Sequence, residues 1–366
     1  MFTTYKFRAI SVLSLVACIL FTSCDDKEVI EDLSYNVPAT YNFENVNYSG
    51  QQARLSMLSE IDAYIKTGNN GTQLNAQKLK DMYANVNNQF STTELNGSGK
   101  QLKDKTVESA RTQFEAYLDA VAAASTSAGA PATPGNAGLL TTADNTKYLV
   151  DANGLEYAQV IQKGLMGAVF YNQVVDVYLS ENKIGAAVDN TTVKPGEGTT
   201  MEHHFDEAFG YFGAPKDFPA NKEGLKFWAN YSNKVDAVLN TNSKLMDAFL
   251  KGRAAISAKD MQGKDAAVSV IREEFEKLVA GSVILELNAA KANFGDQAKK
   301  SHYLSEAIGF VIALKYKTGR VITNDQHTQV LNKIGTNLYN TTVADINDAI
   351  NIISTAYKFD AIKGQL

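Results

Sequence analysis

The chain has four histidines in 366 residues, and three of them sit in patterned company. The first group is Glu202-His203-His204-Phe205-Asp206-Glu207-Ala208-Phe209-Gly210. The second is His302-Tyr303-Leu304-Ser305-Glu306-Ala307-Ile308-Gly309-Phe310. Both read His-x-x-x-Glu-Ala-x-Gly-aromatic, and His302 lies 99 residues after His203, which suggests an internal duplication. A four-residue spacing puts His and Glu on one helix face. Imidazole and carboxylate together suit zinc, iron, manganese or copper. Inward His and Glu on facing helices are how metal sites are built in bundles. His203, His204, Glu207, His302 and Glu306 are therefore the candidate ligands, with a divalent metal or iron as the candidate cofactor. The bland alternative is a buried His–Glu hydrogen bond that only orients two helices. His327 falls at a helix start and is expected in solvent.

Other chemistry-bearing templates fail, and no catalytic residue is assigned. His-Glu-x-x-His and Gly-x-Ser-x-Gly are absent. Gly97-Ser98-Gly99-Lys100 is too short for a phosphate-binding loop. Asp151-Ala152-Asn153-Gly154-Leu155-Glu156 has its acid too early for a calcium loop; its carboxylates are expected to cap a helix instead. Trp228, Phe227 and Tyr231 at helical spacing read as core.

The elements that must hold these residues are helices. Leu55, Leu58, Ile61 and Ile65 recur at helical spacing. So do Val107, Ala110, Phe114, Tyr117, Leu118 and Val121. Residues 122–135 are low in complexity and read as a loop. Residues 155–179 form a long helix, apolar on most sides and so buried. Further helices are predicted over 200–212, 224–240, 243–256, 264–292, 301–317, 324–338 and 343–357. Thr199 and Glu202 form a capping box, and Thr342 with Asp345 starts the last helix. On the first histidine helix Met201, Phe205, Ala208 and Phe212 make an apolar stripe, opposite His203, Glu207 and Gly210. On the second, Gly309 and Ala313 share a face with His302 and Glu306, which points that pair into a helix contact. Strand signals are poor; only 41–50 alternates weakly. The class is all-α, a helical bundle.

Composition agrees with a folded body: 45% hydrophobic and 20% charged residues, with 6 Pro. The net charge of −5 argues against nucleic acid, which needs a basic field. The length exceeds the ~250–300 residues at which one core stops growing. Two related lobes, about 40–215 and 216–366, are expected, each of four-helix type.

The N-terminus reads as an address. Lys6 and Arg8 precede an apolar run over 9–21, too short to span a bilayer. Leu20-Phe21-Thr22-Ser23-Cys24 resembles a bacterial lipobox, so residues 1–23 are a lipoprotein signal peptide and Cys24 is the lipidation site. Residues 24–39 are then a lipid-anchored tether. Removing 23 residues leaves 343, with 33 basic and 40 acidic side chains and a charge of −7. No free thiol remains, so Cys-ligated zinc, iron–sulfur clusters and thiol catalysis are excluded. Asp25-Asp26-Lys27-Glu28 resembles the signal that exports Bacteroidetes lipoproteins to the outer leaflet.

Two stretches carry a wider resemblance. Tyr41-Asn42-Phe43, Asn47-Tyr48-Ser49-Gly50-Gln51, Arg54-Leu55 and Met57-Leu58 are one; His203–Gly213 with Lys216-Asp217-Phe218 is the other. Together they resemble an uncharacterised Bacteroidetes lipoprotein family. Members often lie beside imelysin and iron-uptake genes, which implies an envelope role linked to iron. The second stretch also resembles the imelysin motif Gly-x-His-x-x-Glu, with His204 and Glu207 matching and Glu202 standing where Gly is usual. That resemblance implies an all-α fold of two related four-helix bundles. The expected function is a non-enzymatic outer-membrane lipoprotein, exposed at the cell surface, that binds a metal, haem or an iron complex. An imelysin-type metallopeptidase is the first alternative. A scaffolding module of an outer-membrane uptake complex is the second. The membrane is a partner through Cys24. Palmitate labelling in cells checks the anchor: the wild-type chain takes up label and Cys24→Ser takes up none.

Overall fold

The computed structural model describes residues 1–2 and 34–366, so the signal segment, Cys24 and the first part of the tether lie outside the described residues. The α-helices are α1 (Ser49–Lys66), α2 (Ala76–Ala84), α3 (Thr93–Asn96), α4 (Arg111–Ser125), α5 (Tyr157–Leu165), α6 (Glu181–Ile184) and α7 (Thr200–Phe212). After them come α8 (Phe227–Leu239), α9 (Thr241–Ala258), α10 (Met261–Ala292), α11 (Gln297–Leu314), α12 (Asn324–Ile334) and α13 (Val343–Tyr357). A single antiparallel hairpin, β1 (Gly138–Thr141) and β2 (Lys147–Val150), pairs Leu139 with Leu149. The protein is all-α, as its periodicity predicts.

The helix starts follow from local chemistry. Thr199 accepts the amide of Glu202, and the Glu202 carboxylate accepts the amide of Thr199, closing a capping box on α7. Thr323 with Gln326 and Thr342 with Asp345 repeat that device on α12 and α13. Gly213 ends α7 with φ 82°, a conformation that suits glycine.

The run 157–178 is buried, as its all-round apolarity requires, but it is not a plain α-helix. After α5 it widens into π turns over Met166–Tyr171 and Gln173–Tyr178. Met166, Ala168, Val169, Phe170, Tyr171, Val174 and Val175 are all fully buried. α1, α7, α9, α10, α11 and α5 pack in a closed ring, each touching the next, and the π turns meet α7, α10 and α11. The 32-residue α10, ~48 Å long, is the spine on which α8, α9, α11 and α13 rest.

Residues 35–366 form one compact unit. Core residues before and after position 215 belong to one apolar cluster, so that boundary marks no break in the core. Three local expectations are corrected. Residues 41–48 are irregular, not extended; Tyr41 is buried by stacking on Phe209 at 3.7 Å. α4 runs on into the low-complexity stretch as far as Ser125 because Val121, Ala122 and Ala124 still meet the core. The hairpin was not foreseen; its strands are four residues each, too short for alternation to show.

Helix crossings are close where glycine allows it. A Cβ on Gly167 would stand 2.3 Å from Ala313 Cβ. Gly97 has nothing within 4 Å of its would-be Cβ. Urea unfolding should therefore find Gly167→Ala destabilised by ~1–3 kcal/mol, with Gly97→Ala near wild type. Equal behaviour of the two would refute the close crossing.

Candidate functional site

The two histidine helices each build a polar cluster against a neighbour. In the first, α7 crosses α1 so closely that a Cβ on Gly210 would lie 2.6 Å from Tyr48 Cβ. That approach lets Gln51 Nε2 donate to Glu207 Oε1 at 2.8 Å. The Tyr178 hydroxyl donates to the same oxygen at 3.0 Å. His203 Nε2 stands 3.9 Å from Glu207 Oε2. His204 Nδ1 faces the Lys183 carbonyl at 2.7 Å, so that nitrogen carries the proton. Its Nε2 is then the acceptor facing Lys183 Nζ at 3.4 Å. Burial, with Lys183 close by, holds His204 below the usual histidine range.

Cations surround this cluster. Lys105 and Lys183 lie over the Tyr178 ring at 5.8 and 6.0 Å. Burial pulls the Lys105 ammonium down, and Arg54 adds to that effect. Burial raises the Tyr178 hydroxyl, and Glu207 raises it further. In this cluster His203 Nδ1 and the hydroxyl of the fully buried Tyr211 are buried without a hydrogen-bond partner. Such an atom costs ~1–3 kcal/mol unless water or a ligand meets it.

The second cluster repeats the plan with different charges. A Cβ on Gly309 of α11 would lie 2.6 Å from Lys163 Cβ of α5. Lys163 Nζ meets Glu306 Oε1 at 2.8 Å and Gln159 Oε1 at 3.0 Å, both buried. His302 Nδ1 meets Glu156 Oε2 at 2.6 Å, while its Nε2 stands 3.9 Å from Glu306 Oε1. The Tyr148 ring, carried in by β2, stacks on His302 at 4.4 Å. Glu286 of α10 joins Glu306, and burial with that neighbouring charge pushes Glu286 up to about 9. Burial alone would raise Glu306 too, but Lys163, Glu286 and His302 outweigh it and hold it down. The two acids thus hold one proton between them at neutral pH.

The five predicted ligands therefore form two separate groups: His203, His204 and Glu207 in one, His302 and Glu306 in the other. Among the described residues no hydrogen bond, ion pair or ring contact bridges them. Nor does any group of three or more His, Cys, Asp or Glu there have the arrangement to hold a metal ion. The reason is visible in each cluster. His302 meets its two carboxylates on opposite ring nitrogens, and the Lys163 ammonium already fills the cation position beside Glu306. His204 spends one nitrogen on a carbonyl and turns the other toward an ammonium. A directly coordinated resident metal does not fit these donors.

Two sequence expectations fail here. His327 is half-buried, with Nε2 2.8 Å from the Val311 carbonyl, and burial lowers its pKa. Glu156 does not cap the helix; it is fully buried on His302. Asp151 instead accepts the amides of Asn153 and Leu155 in a turn before α5. Gln51, Lys105, Tyr178, Lys163 and Glu286 were missed, because no spacing links them to the histidine helices. Trp228 and Tyr231 are core as expected, and Phe227 is half-buried against it.

Residues 38–359 match the family described as a domain of unknown function, DUF4856. The chain belongs to this family. No curated protein and no solved structure matches it. Both histidine clusters lie inside the family's span, so each is part of the domain itself.

The shared proton sets a pH dependence. Glu286 is raised above its unfolded value, so the folded state holds an extra proton from about pH 5 to about 9. Stability contributed by that proton is full below the window and is lost as pH rises through it. Asp206, which burial pushes up to about 7, adds to the lower part only. Between pH 7 and 9 the wild type should lose up to ~2–3 kcal/mol in urea unfolding. Glu286→Gln, which mimics the neutral acid, should flatten that slope. An unchanged slope in the variant would contradict the shared proton.

Proposed function

We propose that this protein is a non-enzymatic envelope lipoprotein, anchored at Cys24, that captures an anionic iron complex at the α1–α7 cluster. One observation carries the reading: Lys105 and Lys183 flank the Tyr178 ring, beside His203, His204 and the buried Arg54. Cations, an aromatic ring and unspent polar atoms suit an organic anion that brings its own metal. The iron is then cargo, and the protein needs no convergent ligand set. The lipobox and the resemblance to outer-membrane lipoproteins encoded near iron-uptake genes support the location. The imelysin likeness of His204 and Glu207 supports the choice of this cluster over the second. A metallopeptidase is the weaker reading, since zinc hydrolysis needs three protein ligands and an open position.

Calorimetry on the full chain in lipid nanodiscs tests it, with ferric citrate, haem and iron-free citrate as probes. Ferric citrate or haem should bind with saturation, and the double variant Lys105→Ala, Lys183→Ala should weaken it at least ~10-fold. Absence of binding, or affinity untouched by the double variant, would sink the proposal.

A further inference from the structure

A second site lies against α10, lined by residues that neither histidine cluster uses. There the last turns of α8 and α13, the start of α9 and the loop after α11 enclose a cleft of about 810 Å³ on α10. That is the size that holds most of a small organic ligand. Its apolar side is Val238, Leu239, Ala356, Phe359 and Ile362. Its polar side rests on a rigid base. Glu276 is 2% exposed and accepts from Lys317 Nζ at 2.6 Å, the Val321 amide at 2.6 Å and the Tyr357 hydroxyl at 2.8 Å. This buried carboxylate is fully spent, and it fixes Lys317 and Tyr357 at the wall.

What is left unspent is cationic. Lys244, Arg272, Lys277, Lys317 and Lys358 line the cleft, with Arg272 held by Asp176 at 3.1 Å. Only three carboxylates do so, Glu273, Glu274 and Glu276. Lys277 takes up Glu273 and Glu274 at 2.6 and 2.9 Å. Lys317 has two acceptors, Glu276 and the Gly319 carbonyl at 3.4 Å, so one N–H is free. Lys244 reaches Glu274 at 3.3 Å. Lys358 has no ion-pair partner among the described residues, and it sits at the mouth in a left-handed C-cap with φ 59°. An apolar floor beside surplus N–H donors matches a molecule with an apolar body and a negative head.

We propose that this cleft binds a small amphipathic organic anion, with its tail on Leu239, Phe359 and Ile362 and its head between Lys244, Lys317 and Lys358. The site is independent of the α1–α7 cluster and of the iron reading.

Calorimetry on the full chain in nanodiscs, with empty nanodiscs as reference, tests the proposal with three probes of closely similar tail. Octanoate should saturate one site and bind at least ~10-fold tighter than octanamide or octyltrimethylammonium. Ala356→Trp, which fills the cleft from the last turn of α13, should abolish that binding. Lys244→Glu with Lys358→Glu, two exposed changes compatible with folding, should reverse the preference toward octyltrimethylammonium. Lys105→Ala with Lys183→Ala should leave octanoate binding unchanged, which separates this site from the first. Equal affinity for the three probes, no saturable site, or a preference unmoved by charge reversal would overturn it.

Discussion

Everything near α7 depends on one buried cation. The Arg253 guanidinium, 1% exposed on α9, donates Nε to Asp206 Oδ1 at 2.9 Å and Nη1 to Glu202 Oε1 at 2.7 Å. It lies over the Phe43 ring at 5.0 Å and reaches the Glu44 carbonyl at 3.4 Å. Tyr41 closes the group by donating to Asp206 at 2.9 Å. One planar fork thus ties α9, α7 and the segment before α1 together. Its worth is conditional. Removing one partner of such a group leaves a buried charge unmet, at ~3–5 kcal/mol. With the partners present, the fork sets the rotation of α7. Glu202 and Asp206 must face Arg253, so His203 and Glu207, one position on, must face α1 and Tyr178.

The two histidine helices are built alike and used differently. In each, a glycine three residues after the glutamate lets a neighbouring helix come close, and a tyrosine approaches the glutamate. The partner side chain differs. On α1 it is the neutral Gln51, and on α5 it is the charged Lys163. The α11 cluster therefore balances itself inside the fold, with Lys163 against Glu306 and a proton on Glu286. The α7 cluster leaves its cations, Lys105 and Lys183, half-exposed and its Glu207 bonded only by neutral donors. Charge satisfied internally holds helices together; charge left part-exposed keeps unspent donors. The repeated motif marks both clusters, but this difference separates their electrostatics.

That distinction also bounds what the sequence could reveal. The helices, the capping boxes and the inward turn of His302 and Glu306 were legible, because each depends on residues within one or two turns. The Arg253 fork was not, since Glu202 already had a local role as a cap and Asp206 is polar by type. Nothing in spacing says that an arginine 47 residues later will bury itself on them. The metal expectation meets the same limit. Periodicity placed His302 and Glu306 on one face correctly, but it could not show Lys163 standing where an ion would have to stand.

The central run explains how one stretch of chain serves both clusters. Lys163, near its start, points to Glu306 of α11; Tyr178, at its end, points to Glu207 of α7. Between them the π turns replace ordinary α-helical bonding over Met166–Tyr171 and Gln173–Tyr178. Each widened turn re-aims every residue beyond it, which is why such turns gather at sites that need a particular side chain in place. The run is apolar on nearly all sides, so its core packing tolerates that rotation: Val, Phe and Met meet apolar neighbours in any direction. The polar residues in and between the π turns do have directional requirements: Asn172 bonds the Tyr316 carbonyl, Gln173 the Lys105 carbonyl, Asp176 pairs with Arg272, and Tyr178 reaches Glu207. The apolar residues thus let the buried run turn, and the turn is set by the few polar side chains that must meet particular partners.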